Sequence, residues 1–106
     1  MARRADRREV VVIMWRDIPA QVNGQAGRDR HQVMLHPRFQ RAIDRAKRKA
    51  RIVTAHEDVT QWRRVSIPCD GDSDVVAAAE AEARRLEKEY PTDRLGTIAF
   101  HGGFDQ

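Results

Sequence analysis

The sequence predicts an α+β fold: a two-layer single domain in which a small, mainly antiparallel sheet carries two main helices and one or two short ones. Three observations lead there. Val10–Trp15 is an unbroken apolar run of strand length, residues 37–51 and 74–89 repeat their apolar positions with a helical period, and proline or glycine separates the segments. The chain has 106 residues, enough for one modest core.

Residues 1–8, with four Arg, two Ala and one Asp, bury nothing and read as a flexible basic arm ahead of a domain over 9–103. From Val10 both strand faces are apolar: Val10, Val12 and Met14 on one, Val11, Ile13 and Trp15 on the other. Such a strand is expected in the interior, covered on both sides. Asp17-Ile18-Pro19 breaks it, because proline has no N–H for the ladder. Ala20–Gln25 and His31–Leu35 then flank Gly27-Arg28-Asp29-Arg30 as a hairpin.

Pro37 suits the first turn of a helix over 37–51, where Phe39, Ala42, Ile43, Ala46 and Ala50 share one arc. Arg38, Arg41, Arg45, Arg48 and Lys49 occupy the adjacent, solvent-facing arc. Thr54-Ala55-His56-Glu57 has the capping-box pattern and opens a short helix with Ala55, Val59 and Trp62 on one side. Val65–Cys69, interrupted by Pro68, is a short edge strand. Over 74–89, Asp72 or Ser73 caps a helix whose buried stripe is Val75, Val76, Ala79, Ala83, Leu86 and Tyr90. Glu80–Arg84 and Arg85–Glu89 are opposite charges four apart on its wet side. Pro91 ends that helix, and 93–101 reads as a further short helix, with a strand as the alternative, stopped by Gly102-Gly103.

Charge is unevenly distributed. Residues 1–64 carry 16 Lys and Arg against 7 Asp and Glu, whereas residues 65–106 carry 4 against 9. The asymmetry suits a face for nucleic acid or an acidic partner, or two halves that dock on each other. The single cysteine, Cys69, excludes an intrachain disulfide and a cysteine zinc site. No apolar run is long enough for a membrane span, and the basic N-terminus leads into too few apolar residues for a signal peptide, so a cytoplasmic location is expected.

No catalytic constellation stands out. Asp70-Gly71-Asp72-Ser73-Asp74 alternates carboxylates like the start of a calcium loop, but Val75 and Ala81 occupy the positions that need Gly and Glu. His31, His36, His56 and His101 lack the helical spacing of zinc ligands, and no nucleophile elbow or phosphate loop is present. No metal, cofactor or catalytic residue is therefore expected, and a non-catalytic role is favoured. Two groups remain. Trp15, Arg16, Asp17 and Pro19, with Trp62, Arg63 and Arg64, read either as an Arg16–Asp17 anchor for the turn or as a docking lip, since Trp and Arg dominate interface hot spots. Arg38, Arg41, Arg45 and Arg48 form a basic helical face that suits phosphates, with nucleic acid as the rival partner.

WRDIPAQV at 15–22, the basic helix after it, QWRR at 61–64 and the acidic-capped helix ending LEKEY at 86–90 together resemble the small bacterial "virulence factor" domain family. The resemblance covers about residues 9–90. It implies a domain that occurs alone or attached to larger helical-repeat proteins, such as staphylococcal conserved virulence factor C. It further implies stand-alone members encoded near folate-dependent one-carbon enzymes, hence an accessory subunit of such an enzyme as one role. It supplies no catalytic residues. The reading is an accessory or protein-interaction domain that serves a larger protein.

Overall fold

The computed structural model describes residues 7–70 and 74–106. Four strands, β1 (Arg8–Trp15), β2 (Ile18–Ala26), β3 (Asp29–Met34) and β4 (Trp62–Pro68), form one antiparallel sheet in the order β3-β2-β1-β4. Between β3 and β4 the chain makes α1 (Pro37–Lys49) and α2 (Ala55–Val59); after β4 come α3 (Val75–Glu89) and α4 (Thr92–Phe100). α3 lies across β2, β3 and β1, and α1 packs on β2 and α4, giving the two layers expected.

β1 is interior, between β2 and β4, and Val10, Val11 and Val12 are all buried. Val10 and Val12 join Val22, Leu35, Phe39, Ile43, Leu86, Leu95 and Ile98 in the helix-covered core. Val11 lies outside that cluster and shares its row with Asn23 and Ser66. Asn23 is itself buried, with its Oδ1 unbonded among the described residues. The expected alternation fails near the strand end: Trp15 joins the cluster of Val10 and Val12, not Val11. The β1–β2 register shifts between Ile13 and Met14, and such an irregularity re-aims the side chains beyond it.

The strand break also differs from expectation. Arg16-Asp17 is a two-residue hairpin turn, Ile18 already pairs with Trp15, and Pro19 sits inside β2 opposite Met14, next to the register shift. Proline is tolerated at such an irregularity because it removes only one ladder donor. At the other end Arg8 belongs to β1 and the Gly27 N–H donates to the Arg7 carbonyl, so the arm expected over 1–8 does not extend that far; its residues 1–6 lie outside the described residues.

α1 buries Phe39, Ala42, Ile43 and Ala46 as its spacing requires. α2 is capped by Thr54, whose Oγ1 accepts from the Glu57 N–H at 3.1 Å. It buries nothing, however: Val59 is 64% exposed and Trp62 belongs to β4. α3 buries Val75, Ala79, Ala83 and Leu86 but leaves Val76 on the surface. Its cap is Asp74, which accepts from the Val76 and Ala77 N–H groups, in place of Asp72 or Ser73. The 70–74 acidic run falls partly outside the described residues, at 71–73. α4 is helical, and Gly102 and Gly103, with φ of 71° and 101°, terminate it.

α3 approaches the sheet so closely at Gly24 that a Cβ there would lie 2.4 Å from the Val75 carbonyl oxygen. Backbone on both sides leaves no room to yield. Gly24→Ala is therefore expected to cost about 1–3 kcal/mol through displacement of α3, and Leu86→Ala about 2–5 kcal/mol through a core cavity. Denaturant titration of the two variants checks both values.

Candidate functional site

Trp15 and Trp62 face each other across the β1–β4 pair, and the chain gathers a polar cluster around them. Asp58 of α2 is its centre. Its Oδ1 accepts from Trp15 Nε1 at 2.8 Å and from Lys47 Nζ at 3.0 Å, and its Oδ2 accepts from Trp62 Nε1 at 3.4 Å. The Lys47 ammonium also lies 5.8 Å and 5.4 Å from the two ring centroids, within cation–π range. Burial pushes the Asp58 carboxyl up, but the hydrogen bonds from Lys47, Trp15 and Trp62, with the Lys47 charge, outweigh it and hold the group below the usual aspartate value.

Arg16 governs the turn. Its φ is 51°, the left-handed region that costs a non-glycine residue about 1–2 kcal/mol. Several contacts offset that strain. Arg16 Nε donates to Gln61 Oε1 at 2.9 Å and Nη1 to the Gly102 carbonyl at 2.8 Å, while the guanidinium stacks 4.5 Å from the Phe104 centroid. Gly103 packs so tightly here that a Cβ would come within 2.7 Å of the Trp15 ring. Asp17 does not anchor Arg16. Its Oδ1 takes Arg63 Nη2 at 3.3 Å, its Oδ2 takes the Asp105 N–H at 2.9 Å, and its own N–H reaches the Gly103 carbonyl. Arg63 Nε also donates to the Arg16 carbonyl. The anchor is thus a four-segment clamp, in which β1–β2 turn, α2, β4 and the chain after α4 are tied together.

Of the residues proposed as a docking lip, Trp15 and Pro19 are completely buried, Trp62 is half-buried, and Arg16 is committed to internal partners. Arg63 is exposed and holds Asp17; Arg64, also exposed, has no partner among the described residues. The basic helix divides likewise. Arg38 Nη2 donates to the Glu87 carbonyl at 2.6 Å and Nε to the Tyr90 carbonyl at 3.3 Å, closing the C-terminal end of α3. Arg41, Arg45 and Arg48 are exposed and make no hydrogen bond or ion pair with the described residues. Arg38, Arg41 and Arg45 line a groove between α1 and α4 together with Ala42, Thr92, Leu95 and Gly96. Its α4 wall was not foreseen from the sequence, although Gly96 inside a helical segment was a signal.

Among the described residues no three His, Cys, Asp or Glu side chains gather as a metal site, and no helix is long and apolar enough to cross a membrane. Fold and site therefore define a small α+β domain whose most elaborate polar cluster holds the chain together. Residues 13–99, most of the chain, match the model of the family described as "Virulence factor", and the protein belongs to that family. No curated protein and no solved structure matches the chain.

The Asp58 carboxylate gives a signed pH dependence. Because its folded-state pKa is depressed, its contribution is complete above the unfolded value near 3.8 and is lost as pH falls through the folded one. The difference in melting temperature between wild type and Asp58→Asn should be constant at neutral pH and narrow below about pH 4. At neutral pH, Asp58→Ala is expected to cost about 1–3 kcal/mol by leaving the buried Trp15 indole N–H unpaired. Thermal melts across pH measure both effects.

Proposed function

We propose that this virulence-factor-family domain is a non-catalytic accessory module that docks on a larger protein through the end where α1, α2 and α4 finish. One observation carries the reading. Val53 in the α1–α2 connection, Val59 at the end of α2 and Phe100 at the end of α4 are 85%, 64% and 63% exposed. The elements adjoin because Lys49 Nζ sits 4.4 Å from the Phe100 ring and Lys47 reaches Asp58. Large apolar side chains left in water beside the cations Arg48, Lys49 and Arg51 suit a partner surface with an apolar centre and an acidic rim. The tryptophan clamp then serves to hold the docking end rigid. Among partners, the family resemblance points to a folate-dependent one-carbon enzyme.

Affinity capture with the full chain, followed by mass spectrometry, is expected to recover one larger protein. Val53→Asp with Phe100→Asp should abolish that capture while leaving the melting temperature within a few degrees, since both side chains already face solvent. Equal capture by the double variant would defeat the assignment of this end.

Nucleic acid is the second reading, favoured by the unpaired guanidinium groups of Arg41, Arg45 and Arg48. The Nη1 of Arg38 keeps no partner among the described residues, so with Arg38 included about four phosphates can be neutralised, which predicts a slope of log K against log salt near −3 to −4. The accessory reading predicts only non-specific binding of about 10⁻⁴–10⁻⁶ M at physiological salt. Fluorescence anisotropy with duplex and single-stranded oligonucleotides separates the two; tight, sequence-selective binding would overturn the accessory reading.

A further inference from the structure

We infer that the groove between α1 and α4 is a binding site for the phosphoryl group of a small phosphorylated ligand. The sequence spacing builds it. Arg38, Arg41, Ala42 and Arg45 recur at i, i+3, i+4 and i+7 along one face of α1, and Thr92, Leu95 and Gly96 recur at i, i+3 and i+4 along α4. The packing of α1 on α4 brings these two faces together around a concavity of about 100 Å³. That is several times the space one ordered water needs, enough for a compact tetrahedral oxyanion.

Three guanidinium groups line this one concavity, and no carboxylate is among the lining residues. Asp44, the acidic residue of α1 between Arg41 and Arg45, is engaged by Gln40 Nε2 at 3.0 Å. Asp93, in the first turn of α4, is not among the lining residues. Arg41 and Arg45 are like charges four residues apart, a spacing that is unfavourable on a helix unless something neutralises it. Neither is paired within the described residues. Arg38 differs in being fixed, by the Glu87 and Tyr90 carbonyls and by its position 5.0 Å from the Phe39 ring centroid. One guanidinium is thus pre-organised and two are free to close, which lowers the ordering cost of binding.

The α4 side contributes in two ways. Thr92, the first residue of α4, lines the groove, and no side chain caps the helix at Pro91, so the N-terminal end of the α4 dipole lies on the groove's side. Gly96 lies inside a helix, where glycine is unfavourable relative to alanine, and its φ is not in the left-handed region. A Cβ there would lie 3.8 Å from Arg45 Nη1, an ordinary contact. Neither the backbone nor close packing requires glycine at this position; what it leaves is space in the groove. Three guanidinium groups match a dianion with three acceptor oxygens, whereas a strand of nucleic acid would draw equally on Arg48, which lies outside the groove.

Inorganic phosphate and pyrophosphate are the probes, added to the ¹⁵N-labelled full chain at constant ionic strength with chloride as control. The expected result is saturable shifts at Arg38, Arg41, Arg45, Thr92 and Gly96, with low-millimolar affinity for phosphate and tighter binding of pyrophosphate. Arg41→Gln with Arg45→Gln should weaken binding by at least about tenfold, the cost of one lost charge-assisted hydrogen bond. Gly96→Leu, which fills the groove and keeps every charge, should do the same without lowering the melting temperature. Arg48→Gln should leave binding unchanged. Absence of saturation, or equal losses from Arg48→Gln and the Arg41/Arg45 pair, would overturn the site. A single-stranded oligonucleotide that binds far more tightly than pyrophosphate and depends on Arg48 would overturn it in favour of backbone tracking.

Discussion

The structure turns on one carboxylate. β1 and β4 are far apart in sequence, separated by a hairpin, α1 and α2, so their pairing carries a large loop-closure cost. Asp58 offsets part of that cost at the place where it matters, because the same side chain receives the indole N–H of Trp15 from one strand and of Trp62 from the other. Lys47 then neutralises the carboxylate from α1. With 29% of its side chain exposed, Asp58 keeps some solvation, which avoids the full penalty of a buried ion pair. Sheet edge, first helix and connecting helix are thereby fixed at a single point.

The turn at Arg16 depends on this arrangement. A left-handed arginine is tolerated only where its surroundings define it more strongly than its own backbone preference does. Gln61, held one residue before β4, accepts from both the Arg16 backbone and its side chain, and the Gly102 carbonyl accepts from the other end of the guanidinium. Gly102 and Gly103 can present these carbonyls because their positive φ angles turn the chain back after α4. The C-terminal residues are consequently part of the clamp: Asp105 bonds both Asp17 and Arg94.

Much of the fold was legible in the sequence because it rests on local chemistry. The spacing of Phe39, Ala42, Ile43 and Ala46, the Thr54–Glu57 capping box and the Gly102-Gly103 stop each act within a turn or two of chain. The clamp was legible only as a peculiarity. Trp15-Arg16-Asp17 marks a costly strand exit, and a role in holding the turn follows from that, but the adjacent Arg16–Asp17 pair is not how it works. Gln61, Arg63, Gly102 and Asp105, which supply the real partners, come from distant segments that no period in the sequence connects to Arg16. Parity misled for a related reason. A register shift at Ile13/Met14 arises from the pairing with β2, so the face that Trp15 occupies is a property of two strands and not of one.

The same distinction explains why the arginines of α1 looked equivalent and are not. A helical wheel places Arg38, Arg41, Arg45 and Arg48 on a common polar arc, and on an isolated helix each would be a solvated cation. Tertiary packing separates them. Arg38 meets the C-terminal end of α3, where unpaired carbonyls and the negative end of the dipole favour a cation, and it becomes a structural residue. Arg41 and Arg45 share a groove with Thr92, Leu95 and Gly96 of α4, where no carboxylate is among the lining residues to pair with them. Arg48 lies beyond that contact, toward the exposed Val53 and Phe100 end. Packing thus converts one stripe of like charge into a brace, a concave cationic site and part of a basic rim. The net electrostatic cost of the middle pair is the feature that folding alone does not account for.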